Sequence, residues 1–275
     1  MIFKPDTLKD RVAIITGGGR GIGRVMALEF AKVGAKVVIA SRKQERLDPV
    51  AQEVRHLGRS CLAIQTDVRY PDQIENLVQQ TVQEFGRIDI LVNGAAGNFS
   101  IPSEDLTTNG WNTVVNIVLN GTWYCTQAVG KVMIRQRKGK IVNMLNVRNR
   151  TASPGNVHNG AAKAAVEHMT RSLAWEWGRY NINVNALGPT PVETEVIEEM
   201  IKGDPAQREA LVKTVPLGRL GRPEEVAWAA IFLCSDASDF ITGQALFLDG
   251  GSWIDISTHI AHQFFSTAKS LPVDN

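Results

Sequence analysis

Cysteine, tyrosine and histidine are scarce in this chain of 275 residues, which has three, three and five of them, and neither sign of charge prevails. Cys61, Cys125 and Cys234 stand far apart in apolar stretches with no metal-ligand spacing. That argues against a disulfide scaffold and a zinc module, and for buried, reduced thiols with no metal site. The formal net charge is only +2, with no long basic or acidic run behind it, so nucleic-acid binding has no support. No apolar run is long enough to span a bilayer, and the opening residues Met1 to Asp6 contain no secretory core, so no membrane partner is expected and the cytoplasm is the expected compartment. What is present, 44% hydrophobic and 21% charged residues, is the composition of an ordinary globular chain, and one domain over residues 1–275 is expected.

The most informative stretch is Thr16-Gly17-Gly18-Gly19-Arg20-Gly21-Ile22-Gly23, which follows the β-branched run Val12 to Ile15 and opens a helical pattern from Arg24 to Ala31. Strand, glycine turn and helix together make a dinucleotide cradle. Glycines let the backbone approach a pyrophosphate, and the helix start presents free N–H groups at the positive end of a dipole. About twenty residues further on, such folds place an acid for NAD or an arginine for NADP. Here the second strand ends in Ser41-Arg42-Lys43, with no carboxylate at its tip. A solvated helix start would also account for Arg42, Lys43 and Arg46, but their distance from the turn favours a guanidinium for a 2′-phosphate. NADP(H) is therefore expected over NAD(H).

Beyond residue 10 the pattern alternates between strand and helix. Strands are expected near 11–16, 36–40, 60–66, 88–93, 139–145, 181–187 and 245–248, and helices near 21–33, 43–57, 71–86, 103–135, 156–178 and 223–235. This alternation predicts a Rossmann-like, doubly wound parallel sheet with helices on both faces, because parallel strands need crossovers. Two stretches break the beat. Residues 189–222 read as a substrate lid inserted at the carboxyl edge, and 254–275 as a tail that packs on another surface. Asp67, leaving the third strand beside Val68, is placed either to accept from an adenine amino group or to cap the next helix. After the fourth strand, Asn93-Gly94-Ala95-Ala96-Gly97 is a run of small residues that makes room for a flat ligand.

These residues together resemble the short-chain dehydrogenase/reductase family over positions 9 to about 253. The marks are the glycine turn, Asp67-Val68, Asn93 to Gly97, Lys163, the Pro189-to-Thr194 segment and Asp249-Gly250-Gly251. The resemblance implies a seven-stranded sheet, a nicotinamide cofactor, and homodimers or homotetramers. Within the family, Ile39 to Lys43, Ala95 to Phe99 and Val118 to Thr122 are most similar to 2,4-dienoyl-CoA reductases. Carried over position by position, Gly18 to Gly23 and Arg42 would hold NADP(H), Asp67 its adenine and Lys163 the nicotinamide ribose. The backbone of Pro189, Thr190, Pro191 and Val192 would line the carboxamide. Asn98 would touch the thioester-conjugated system, with Arg69, Phe99, Thr107 and Asn159 on the side of an acyl-CoA substrate.

The expected reaction centre departs from both family patterns. Conventional members have a tyrosine four residues before the lysine, where this chain has Asn159, and a serine thirteen residues earlier, where it has Asn146; their helix asparagine corresponds to Val118. Dienoyl-CoA reductases supply a tyrosine from the loop after the fifth strand, at the position of Arg148 here; Tyr70, Tyr124 and Tyr180 fall at neither place. Carbonyl reduction needs an acid for the developing alkoxide, which an amide cannot be at neutral pH. Hydride addition to a conjugated thioester puts the charge on an enolate oxygen and needs donors more than an acid. The expected catalytic set is therefore Asn98, helped by Arg148 or Asn146, with Lys163 fixing the ribose. A carbonyl reductase with another proton donor, and a non-catalytic NADP(H)-binding protein, are the rival readings.

Overall fold

The computed structural model describes residues 2–147, 150–151 and 154–254. Its seven strands, β1 (Val12–Thr16), β2 (Lys36–Ser41), β3 (Cys61–Gln65), β4 (Ile90–Asn93), β5 (Gly139–Met144), β6 (Ile182–Pro189) and β7 (Ala245–Leu248), form one parallel sheet in the order β3-β2-β1-β4-β5-β6-β7. Their near-continuous apolar sequences are those of strands covered on both faces. Alternate residues of β1 feed two cores. Ala13 and Ile15 pack with α1 (Gly21–Lys32), α2 (Gln44–His56) and α9 (Pro223–Cys234). Val12 and Ile14 join the other core, with α3 (Pro71–Phe85), α5 (Gly121–Gln136) and α6 (Val157–Trp177). All three cysteines are buried free thiols, as their apolar surroundings predict.

The helix expected over 103–135 is corrected in detail. A short 3-10 turn at Ser103–Asp105 precedes α4 (Thr108–Val115), and a widened π turn at Asn116–Asn120 joins α4 to α5. Thr107 ends the loop as the N-cap of α4, its hydroxyl accepting from Gly110 N at 3.1 Å. The widened turn leads to a close approach: a Cβ on Gly121 would stand 2.6 Å from Val68 Cγ2, so α5 begins against the exit of β3.

The two ends of the 189–222 insertion are zipped together by a parallel bridge between Val192 and Gly221, with Gly221 N donating to Pro191 O and Glu193 N to Gly221 O. Between them lie α7 (Glu195–Ile201) and α8 (Pro205–Lys213). The stretch expected as a lid is thus a pair of short helices that follows the carboxyl end of β6. Of the tail expected over 254–275, residues 255–275 lie outside the described residues. Among those that are described, no helix is long and apolar enough to cross a membrane.

Candidate active site

The strand order reverses direction between β1 and β4, which opens a crevice at their carboxyl ends. The glycine turn lines it by close backbone approach. Gly17 has φ +75° and a Cβ there would lie 2.6 Å from Gly94 O; a Cβ on Gly23 would lie 2.3 Å from Gly17 O. Thr16, expected to face a cofactor, is instead a tie between the strand ends. Its buried hydroxyl accepts from Gly94 N and Ala95 N, both at 3.1 Å. The N-cap of α1, Arg20, makes no side-chain cap, and no acid stands in the first turn. At this positive helix end the first amide is taken by a side chain from elsewhere, Gly21 N donating to Glu195 Oε1 at 2.6 Å.

At the edge of this cradle, Ser41 ends β2, Arg42 and Lys43 lead into α2, and Arg46 lies beside Gly19, where an added Cβ would meet Arg46 Cβ at 3.1 Å. Lys43 pairs with Glu45 at 3.4 Å, whereas Arg42 has no ion-pair partner among the described residues. Asp67 does not cap α3, whose N-cap is Tyr70. Both carboxylate oxygens of Asp67 take the Arg69 guanidinium, at 3.0 Å from Nε and 2.5 Å from Nη2. Burial opposes ionisation of Asp67, but the Arg69 hydrogen bonds outweigh it and hold the carboxyl below its usual range. Arg69, expected beside the acyl-CoA, is thus committed to Asp67. Val68 is buried under α5.

Next to the crevice is a layer of amides. Asn93 Nδ2 donates to Thr126 Oγ1 and Asn143 Oδ1, both at 2.8 Å, and Asn143 Nδ2 donates to Thr170 Oγ1 at 2.9 Å. Expected to meet a cofactor, Asn93 spends its amide nitrogen as a buried strut joining β4, β5, α5 and α6. Lys163 Nζ, on α6, donates to the carbonyl of Met144 at the end of β5. Burial pushes this lysine down from its ordinary range to about 8. One turn before it, Asn159 accepts at 2.9 Å from Asn146 Nδ2. This pairing leaves Asn146 Oδ1 buried without a partner, while Asn159 Nδ2 makes no hydrogen bond among the described residues. Asn98 is exposed, with one amide hydrogen committed to Asn156 Oδ1 at 2.6 Å.

Two residues expected at a substrate, Phe99 and Thr107, both lie against Gly110. A Cβ on Gly110 would contact both Phe99 Cζ, at 3.0 Å, and Thr107 Oγ1, at 3.3 Å. Phe99 also lies on His158, with ring centroids 4.7 Å apart. Both nitrogens of that fully buried imidazole lack a partner among the described residues. Arg148, expected to help at the oxyanion, falls outside the described residues. Its neighbour Arg150 pairs with Glu167 at 2.7 Å and covers the Phe247 ring at 4.3 Å, tying this loop to α6 and β7. On the insertion side, Pro189 ends β6, the Thr190 amide donates to Leu248 O at 3.2 Å, and Thr194 caps α7 by accepting from Ile197 N at 3.4 Å. Sequence reasoning missed Asn156, which holds Asn98 and Ser100, and Glu195, which touches Gly21. Neither carries a local signal, since each acts on a residue more than fifty positions away.

Comparison with known proteins agrees with this geometry. A family model described as enoyl-(acyl carrier protein) reductase matches residues 17–252. A Bacillus subtilis (strain 168) protein named probable 2,4-dienoyl-CoA reductase, (2E)-enoyl-CoA-producing, is 41% identical over 251 residues, covering 90% of this chain and 98% of the relative. A short chain dehydrogenase from Bacillus anthracis matches with TM-score 0.81 and 47% identity, covering 89% of this chain and 97% of the other. A gluconate 5-dehydrogenase from Burkholderia cenocepacia J2315, solved with NADP and tartrate, matches with TM-score 0.85 and 36% identity, covering 90% and 97%. With a matched family model over most of its length and a parallel sheet built around the glycine cradle, the chain belongs to the short-chain dehydrogenase/reductase family.

Proposed function

We propose that this chain is an NADPH-dependent reductase of 2,4-dienoyl- or enoyl-CoA thioesters, built to stabilise an enolate with amides. The observation that carries the reading is the Asn146–Asn159 pair one helical turn from Lys163, with Asn159 Nδ2 left over as a donor. A phenol would suit alkoxide protonation, but the three tyrosines lie at the N-cap of α3, within α5 and just after α6, and none bonds to this pair among the described residues. The similarity to a named dienoyl-CoA reductase over nine-tenths of the chain points the same way.

The residues present fit a nicotinamide dinucleotide. The glycine cradle has space only without side chains, the positive end of α1 suits an anion, and Arg42 makes no ion pair among the described residues. When bound, NADPH supplies a hydride to the conjugated thioester. Asn146 holds the Asn159 carbonyl and so aims Asn159 Nδ2 outward, where it donates to the oxygen on which the thioester's charge collects. Asn98, anchored by Asn156, offers its second amide hydrogen to the same end of the substrate. Lys163, fixed by Met144 O, holds the ribose. The proton that completes the reduction arrives at carbon from water.

The test is NADPH oxidation with a 2,4-dienoyl-CoA, run beside an enoyl-CoA and a simple ketone. Turnover on either thioester with none on the ketone is the expected result. Turnover on the ketone alone would replace this reading with carbonyl reduction, and tight NADPH binding with no turnover on any of the three would make the chain a non-catalytic binder. Cofactor choice has its own test. Arg42→Ala should raise the Kd for NADPH by roughly tenfold while leaving that for NADH within about twofold, since only the first carries the 2′-phosphate that a guanidinium binds. Equal losses for both cofactors would show that Arg42 does not read the phosphate.

A further inference from the structure

The amide of Gly21, first residue of α1, is one of the helix-start donors that suit a dinucleotide's phosphate. In this chain a carboxylate already stands there: Gly21 N donates to Glu195 Oε1 at 2.6 Å. Glu195 belongs to the first turn of α7, so its charge lies between the positive ends of two helices, that of α1 and that of its own. A second contact reinforces it, as Arg20 of the glycine turn reaches Glu199 of the same helix at 3.4 Å. The other acids of the insertion are used differently. Arg208 of α8 pairs with Glu193 and Glu198, which ties α7 to α8. Two carboxylates therefore hold the insertion together, and two reach across to α1.

A pyrophosphate and the Glu195 carboxylate cannot share one donor, because like charges within hydrogen-bonding distance repel. We propose that Glu195 is a built-in competitor for the cofactor's phosphates, making α7 a latch that closes on the cradle and must swing away for the dinucleotide to bind. This inference rests on the dinucleotide-binding reading given above. The latch lowers the cofactor's apparent affinity by the fraction of molecules that are closed. It also couples the two halves of the site, because the helix displaced by the phosphates is part of the lid over the substrate.

The experiment is a fluorescence titration of NADPH into the wild-type chain, Glu195→Ala and Glu195→Gln, with inorganic pyrophosphate as a competing probe. Glu195→Ala should bind NADPH roughly tenfold more tightly, and pyrophosphate should displace NADPH from it at lower concentration than from the wild type. Glu195→Gln should fall between them, since its side chain keeps an acceptor for Gly21 N but loses the charge. Unchanged or weaker NADPH binding by both variants would overturn the latch. If the wild type and both variants bind neither NADPH nor NADH, the dinucleotide reading itself falls, and the latch with it.

Discussion

Replacing Asn159 with leucine should lower kcat on a 2,4-dienoyl-CoA by about 10²–10³ while the Kd for NADPH stays within about twofold, the cost expected for removing one donor from an oxyanion site. The reasoning is geometric. Asn159 is 5% exposed, its carbonyl is held by Asn146 at 2.9 Å, and its nitrogen has no partner among the described residues, so the amide has one fixed orientation and one unused donor. A donor needed only when charge develops on the substrate should move kcat and leave KM nearly alone. Asn146→Ala should show a smaller loss of the same kind, because it frees the Asn159 side chain to rotate without removing its nitrogen. Steady-state kinetics with both variants decides the matter. A rise in KM at constant kcat would make Asn159 a ground-state binding residue, and undiminished kcat would remove it from the reaction.

Lys163→Met should have two effects of opposite sign: weaker NADPH binding, by roughly tenfold or more, and a higher Tm at pH 7. Lys163 is 5% exposed with its ammonium desolvated, and its proton affinity falls from 10.5 to about 8. In the unfolded chain the group stays protonated up to about 10.5, whereas in the folded chain it is protonated only below about 8. The unfolded state thus holds more protons between these values, and the lysine's contribution to stability rises with pH across that window. Its cost is fully present below pH 8 and gone above 10.5, and amounts to no more than about 3 kcal/mol at pH 7. Methionine has a similar stem and no charge to desolvate, although it abandons the Met144 carbonyl, which takes back about 1 kcal/mol. Thermal melts of both proteins at pH 7 and pH 10 test this. The advantage of the variant should shrink at the higher pH, and a Tm difference that ignores pH would show that burial of the ammonium costs nothing.

Much of the architecture could be read directly. The strands are short apolar runs, the helices that cover the sheet carry buried apolar residues, and both patterns are set by neighbours in sequence. The same holds for the cradle, because Gly17, Gly21 and Gly23 are demanded by a turn of eight consecutive residues. The break in the helix expected at 103–135 was less accessible. No proline lies between Thr108 and Gln136, and the widened turn comes just before Gly121, which packs on Val68, a residue from a distant strand exit.

The chain's own order of residues thus determined a doubly wound fold, the position of the dinucleotide cradle, the basic tip of β2 and the absence of a tyrosine four residues before Lys163. Only the tertiary structure decided how the polar side chains share their hydrogen bonds. Asn93 turns inward to Asn143, Arg69 turns to Asp67, Asn146 orients Asn159, and Glu195 reaches an amide 174 positions away. The physical reason is that each of these groups has several donors or acceptors and can pair with more than one partner. Residue type reveals the capacity to bond, and only packing reveals which partner is within 3 Å.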